Sequence, residues 1–310
     1  MDIKEIITPD IVEYYKNNQS EITQELIDSL RQYGNKGKQI VLDMLDMPQD
    51  IEGFYLDAFG NKVSYKGDRQ LKRPFTRFNL SPIHISELER CTNDLEYFKD
   101  NYIKIKTKTG INFPEIRSYQ NDFLEVINST HENIVGLLSR QSGKSISVGI
   151  YLAWNFNFKR DMNIGICANR GPSAREFLNN VKNMLLALPI WMQQGITVWN
   201  KGSISNENNM RILTDVPSAN SFRGMTANIL VVDECAFLPP NRYAEFTDSF
   251  FPAQAALAWK KNIIISTANG LNHFYTLVKG AQTPKKQSFE DCDVKMPDGT
   301  LKRLSELVKA

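Results

Sequence analysis

The stretch that decides the fold is Asn133-Ile-Val-Gly-Leu-Leu-Ser-Arg-Gln-Ser-Gly-Lys-Ser145. Asn133–Leu138 is a short apolar run, as expected of a buried strand. It passes through a tight loop into Gly143-Lys144-Ser145, and the spacing predicts a helix over Lys144–Phe156. Strand, tight loop, Gly-Lys-Ser and helix is the arrangement of a phosphate-binding loop. Gly143 lets backbone N–H groups close around a phosphate, and the helix N-terminus adds its positive end. Lys144 would reach the terminal phosphates, and the Ser145 hydroxyl would ligate a divalent cation. The common pattern has a glycine five residues before Gly143, where this chain carries Leu138.

Downstream, Ile229–Val232 (ILVV) ends on Asp233-Glu234. A buried strand that ends on adjacent carboxylates is costly unless they bind something. Asp233 would hold Mg²⁺ through water, and Glu234 would orient and deprotonate an attacking water. Two further buried strands are predicted, Asn163–Ala168 and Asn262–Ser266. Ser173-x-x-Glu176 is read as the cap of a helix ended by Pro189. Such alternation implies a mostly parallel sheet flanked by helices, the P-loop NTPase (RecA-like) class of α/β fold. Between these elements, Ile196–Leu213 reads as additional antiparallel strands.

The N-terminal region predicts short helices and a hairpin around Gly60-Asn61. Lys62–Phe78 is basic and aromatic, and reads as a solvated loop in preference to a phosphate-contacting patch. Ser86-x-x-Glu89 is expected to cap a helix whose positions Ile85, Leu88, Leu95, Phe98 and Tyr102 face the core. The expected organisation is a helical and hairpin region over 1–85, the ATPase core over 86–275, and a tail over 276–310.

The whole sequence fits this picture. Its 310 residues are 42% hydrophobic and 23% charged, with a net charge of +2, which are globular values and exclude a wholesale nucleic-acid coat. No run of 18 apolar residues offers a membrane span. Four dispersed cysteines and three histidines argue against a zinc site and suit a reducing cytosol.

Taken together, SRQSGKS (Ser139–Ser145), ILVVDECAF (Ile229–Phe237) and STANGLNHFY (Ser266–Tyr275) resemble the large terminase subunit of T-even-like tailed phages. ERCTNDLEYFKDNYIKI (Glu89–Ile105) and RSYQNDFLEVI (Arg117–Ile127) are similar to that family's region ahead of the loop. The resemblance covers Leu88 to Tyr275. It accounts for Arg140-Gln141 where a glycine spacing is usual, and it implies an ATP-hydrolysing motor that moves double-stranded DNA into a procapsid. At matching positions it implies an adenine-recognising Gln120 and an arginine finger at Arg140. Ser139, Gln141 and Ser142 complete the nucleotide loop. Thr267-Ala268-Asn269 becomes a coupling motif that senses the γ-phosphate. The cofactors implied are ATP and Mg²⁺. The partners implied are DNA, the portal protein, the small terminase subunit and copies of the chain in a ring, all in the host cytoplasm. Arg223 in Ser221–Gly224 receives no role.

Two other readings fit parts of the chain. One is a superfamily-2 helicase, from VVDECAF, although no room is expected for a second RecA-like domain. The other is an ATP-gated assembly module, which would have no use for Glu234. The family's nuclease domain is not expected in the 35 residues after Tyr275. Around Pro297-Asp298-Gly299 the tail predicts a hairpin followed by the start of a helix. It resembles the first strands of a split intein, with Ser288 as splicing nucleophile and a nuclease-bearing fragment as partner. The plainer reading, that the tail begins the next subdomain, stands ahead of it.

Overall fold

A computed structural model describes residues 7–218, 220–222, 226–282, 293–295 and 301–303. Ser288 and Arg223 lie outside these residues. In the tail, β12 (Asp293–Lys295) and β13 (Leu301–Arg303) pair antiparallel on either side of the expected turn, and the helix start after them falls outside the described residues.

The centre is a seven-stranded sheet: β5 (Asn133–Leu137), β6 (Asn163–Ala168), β7 (Ile196–Trp199), β8 (Ser203–Asn206), β9 (Arg211–Asp215), β10 (Ile229–Asp233) and β11 (Lys261–Ser266). Its order is β5-β11-β10-β6-β9-β8-β7. The first five strands are parallel, and β8 and β7 extend the sheet antiparallel. Side chains alternate along the strands, so Ile229, Val231, Ile263 and Ile265 enter one core while Leu230, Val232 and Ile264 enter the other.

Helix α7 (Lys144–Phe158) follows β5 and is buried nearly all round. Its sequence, KSISVGIYLAWNFNF, has no polar stripe, as expected of a helix enclosed by others. It packs against α5 (Leu95–Tyr102), α6 (Ser118–Asn128) and α8 (Gly171–Leu186). Helices α1 (Pro9–Asn17), α2 (Gln24–Arg31), α3 (Gly34–Met44) and α4 (Pro82–Asn93) lie upstream, with the predicted hairpin as β1 (Tyr55–Leu56) and β2 (Lys62–Val63). A second small hairpin pairs β3 (Ile105–Thr107) with β4 (Gly110–Asn112).

Several boundaries move. Helix α4 begins at Pro82 behind Ser81, so Ser86 lies inside it and bonds Gln24, and Ile85 is 56% exposed where the periodicity put it in the core. Helix α8 begins at Gly171-Pro172, one turn before the expected capping box at Ser173. In both cases a proline with its fixed φ opens the helix earlier than the capping box does. The expected division at 85/86 therefore falls within α4, and that at 275/276 falls within α10 (His273–Gln282). One apolar cluster runs from Ile22 to Ile265.

The basic stretch 62–78 keeps Lys62, Lys66, Arg69 and Arg77 exposed, as a solvated loop would, yet buries Leu71 and Lys72. It is a strap along the β7 edge. Ile196 donates its backbone N–H to the Lys72 carbonyl at 2.8 Å, and the Tyr65 hydroxyl bonds the Thr197 carbonyl at 3.1 Å. Buried Lys72 donates to the Gln193 carbonyl at 3.0 Å, and Arg73 pairs with Asp57 at 2.6 Å. The backbones approach so closely that a Cβ on Gly195 would lie 2.5 Å from Pro74 Cα.

Candidate nucleotide site

Strand β11 lies between β5 and β10. The loop after β5, the acids after β10 and the Thr267–Asn269 segment therefore emerge side by side at the carboxyl edge of the sheet. That edge is where open α/β sheets bind ligands.

The loop from Leu138 to Gly143 is pinned on two sides. Leu138 N–H donates to the Ser266 carbonyl at 3.1 Å. The Ser142 carbonyl accepts from the Tyr119 hydroxyl at 3.0 Å and from Gln120 Nε2 at 3.1 Å. Gln141 (φ 59°) and Gly143 (φ 79°) both take left-handed backbone. Gly143 is favoured for its left-handed conformation, and a Cβ there, 2.0 Å from Gln120 Nε2, would also push the Gln120 amide off the Ser142 carbonyl. Gln120 is thus placed as a brace under the loop. Its other amide atom, Oε1, accepts from Arg117 N–H at 2.9 Å, so both ends of the amide are engaged by backbone.

Lys144 is buried and donates from Nζ to Glu234 Oε1 at 2.8 Å. Ser145 Oγ donates to Asp233 Oδ2 at 3.4 Å. Glu234 is left-handed (φ 54°), and its N–H bonds its neighbour's Oδ1 at 2.9 Å. This turn brings the second acid back onto the phosphate-loop lysine, where simple strand alternation would send the two acids apart. Burial, reinforced by the Glu234 charge, pushes the Asp233 carboxyl up to about 6, with Lys144 pulling the other way. Two buried hydroxyl oxygens, Ser142 Oγ and Thr267 Oγ1, find no partner among the described residues.

Beyond Glu234 a cavity of about 270 Å³ is lined by Arg140, Asn169, Arg170, Ser173 and Phe237 as well. Arg140 is exposed and faces the same space as Glu234. The edge can therefore receive a polyphosphate: a lysine, a hydroxyl beside a carboxylate, an exposed guanidinium and a second carboxylate converge on it. A divalent cation there would be held by Ser145, Asp233 and the phosphates. Among the described residues no cluster of three or more His, Cys, Asp or Glu forms a metal cage of its own. The unpartnered Ser142 and Thr267 hydroxyls fit a ligand with many acceptor oxygens.

The predicted residues are nearly all brought together. Ser139 and Gln141 are exposed loop residues, and Asn269 Nδ2 reaches the Ala236 carbonyl at 2.9 Å. Sequence reasoning missed Tyr119, Asn272 and His273, which bond the loop or the Glu234 turn. For the last two the signal was present in GLNHFY, just past the coupling motif.

The family model for the terminase large subunit, T4likevirus-type, N-terminal region, matches residues 135–300, more than half of the chain. The chain belongs to the terminase large-subunit family. Among solved structures, the HK97 bacteriophage large terminase is 16% identical with a TM-score of 0.51, covering 66% of this chain and 46% of that one. The Thermus phage P74-26 large terminase ATPase domain is 18% identical (TM-score 0.45), covering 54% of this chain and 72% of that domain. The large terminase of a thermophilic bacteriophage, solved in complex with ADP, is 15% identical (TM-score 0.41), covering 52% and 41%. This chain therefore spans about half the length of the HK97 protein, with which it shares the fold. The family match supports the terminase reading, with its ATPase part, over the helicase reading.

Proposed function

We propose that this terminase large-subunit region hydrolyses Mg²⁺-ATP at the carboxyl edge of the sheet and uses the cycle to drive double-stranded DNA into a procapsid. The observation that carries the reading is the Lys144–Glu234 pair at 2.8 Å beside Ser145–Asp233 at 3.4 Å, on a phosphate loop and an adjoining acidic strand. ATP competes for Lys144. Its terminal phosphates take the ammonium and leave the Glu234 carboxylate free to accept a proton from the attacking water. A magnesium ion bound with the nucleotide supplies charge neutralisation on the phosphate oxygens, and Ser145 and Asp233 are the residues that would hold it. Arg140 meets the charge that develops on the transferred phosphoryl group. Gln120 and Tyr119 keep the Ser142 peptide fixed, so loop geometry does not wait on the ligand. Thr267 and Asn269, at the end of the intervening strand, carry the change onward.

Family membership supports DNA and a packaging complex as partners. Within that complex we assign the portal protein, the small terminase subunit and further copies of this chain in a ring, in the host cytoplasm. The test is ATP hydrolysis by the purified chain with and without double-stranded DNA, with Arg140→Ala beside it. Turnover that rises with DNA and falls roughly 10³-fold or more in the variant at near-normal ATP affinity is the expected result. Weakened binding with an unchanged turnover rate would make Arg140 a ground-state phosphate clamp.

A further inference from the structure

The coupling motif read from the sequence ends at Asn269, but the contacts that hold the Glu234 turn do not. After Glu234 the chain makes a 3₁₀ turn, Cys235–Phe237, and leaves for α9 (Pro240–Gln254). Ala236 N–H donates to Ser266 Oγ at 3.1 Å. The Ala236 carbonyl accepts twice, from Asn269 Nδ2 at 2.9 Å and from Asn272 Nδ2 at 2.7 Å. The Cys235 carbonyl accepts from His273 Nε2 at 2.9 Å. These side chains come from the end of β11, from the connection after it and from the start of α10.

Asn272 works at both ends of its amide. Its Oδ1 accepts from Phe274 N–H at 3.0 Å and Tyr275 N–H at 3.4 Å, capping α10, which fixes the amide so that Nδ2 faces Ala236. His273 lays its ring on Tyr243 of α9, centroids 4.5 Å apart and planes 25° from parallel. The turn is thus gripped from α10, and the imidazole of that grip is seated on the helix the turn leads into. Glu234 itself sits in a left-handed conformation that a glutamate does not favour, and such a residue persists only when its surroundings over-determine it.

We propose that Asn272 and His273 are positioning residues for Glu234: by holding the Ala236 and Cys235 carbonyls they fix the left-handed turn that aims the carboxylate, and they join α10 to the motor's chemistry. This rests on Glu234 as the water-activating group. Displacing a reacting group by about 1 Å can cost about 10²-fold in rate without touching substrate affinity.

The experiment measures steady-state Mg²⁺-ATP hydrolysis and amide exchange on the purified chain for Asn272→Asp, His273→Ala and His273→Gln. Asn272→Asp keeps the oxygen that caps α10 and loses the donor to Ala236. His273→Gln keeps a donor near Nε2. Expected are a kcat lower by about 10- to 100-fold with KM within about threefold for Asn272→Asp and His273→Ala, and recovery of most of the loss in His273→Gln. Amide exchange of Cys235–Leu238 should quicken in the two damaging variants while that of Ile229–Val232 stays slow. Unchanged kcat in folded Asn272→Asp and His273→Ala, or a loss confined to thermal stability, overturns the proposal. Should the unsubstituted chain hydrolyse no ATP, the reading of Glu234 falls by itself. Exchange across Cys235–Leu238 then decides the turn: faster exchange upholds the grip, and unchanged exchange removes it.

Discussion

Two buried ionic clusters, one in the N-terminal region and one at the sheet edge, are built on opposite plans. In the first, Arg31 on α2 pairs with Glu87 on α4 at 2.7 Å, and Glu87 is inaccessible to solvent. Tyr102 donates to Glu87 at 2.5 Å and Tyr97 at 2.6 Å, while Arg31 lies over both rings. Burial pushes the Glu87 carboxyl up, yet Arg31 and these hydroxyls outweigh it and hold it below the ordinary carboxylate range. At the sheet edge the balance runs the other way. Asp233 is raised, Lys144 pairs with Glu234, two buried hydroxyls find no partner among the described residues, and Arg140 lines an open cavity. Among the described residues Arg31 Nε is also without a partner, so the contrast lies in the carboxylates: Glu87, held by Arg31 and two tyrosines, fixes a fold, while Asp233 and Glu234, beside an open cavity, are shaped for a ligand.

Removing Lys144 should produce the largest effect. Lys144→Ala is expected to abolish detectable ATP binding in titration calorimetry and bring turnover to background, while the melting temperature moves little. Normal hydrolysis by this variant would erase the distinction between the clusters. Glu234→Gln should follow, with turnover down about 10²- to 10⁴-fold and ATP affinity retained. A parallel fall in affinity would make Glu234 a ligand of the cation and not the base.

The N-terminal cluster should answer in stability. Glu87→Gln leaves Arg31 buried beside a neutral amide and is expected to cost about 3–5 kcal/mol in denaturant unfolding, with the ATP KM of the folded fraction unaltered. A loss of affinity at constant stability would show that this cluster, too, serves the nucleotide.

The smallest effect concerns His84, buried with Nε2 on the Leu45 carbonyl at 3.0 Å and Nδ1 on Ser81 Oγ at 2.7 Å. Burial lowers its pKa from 6.5, so the unfolded chain binds a proton that the folded chain refuses. Its contribution to stability is full above 6.5 and is lost as pH falls below that value. The unfolding midpoint should therefore decline from neutral pH towards about pH 5, and His84→Gln should flatten the slope.

How far the sequence carried the reading can be judged residue by residue. Strands β5, β6, β10 and β11 were legible because a parallel strand covered on both faces must be apolar throughout, and NIVGL, NIGICA, ILVV and NIIIS are nearly so. Gly143-Lys144-Ser145 and Asp233-Glu234 were legible because charge beside such runs demands an explanation. The left-handed turn at Glu234 was not, since nothing local in Val-Asp-Glu-Cys announces it. It is held by the Ser266 hydroxyl at the end of β11, which accepts, and by donors from the loop and helix that follow. Gln120 gave no sign that its amide would brace Ser142, a contact that depends on how α6 docks. Part of the strap was hidden because its basic residues read as surface charge, which Lys62, Lys66, Arg69 and Arg77 are and the buried Lys72 is not. Asp50, Asp57 and the Gln193 carbonyl, which pair with them, are remote in sequence or belong to the backbone.

That strap carries a consequence for where the chain can be cut. Among the described residues strand β7 is the last of its sheet, and its outer side meets the Lys72 carbonyl at Ile196 and Tyr65 at Thr197. A fragment begun at residue 86 would keep every residue of the nucleotide site and lose that cover. Unpaired strand borders invite a neighbour's strand. Such a fragment should bind nucleotide when dilute and self-associate when concentrated, so the N-terminal region acts as the sheet's selvedge, the woven margin that keeps a cloth from joining or unravelling at its side.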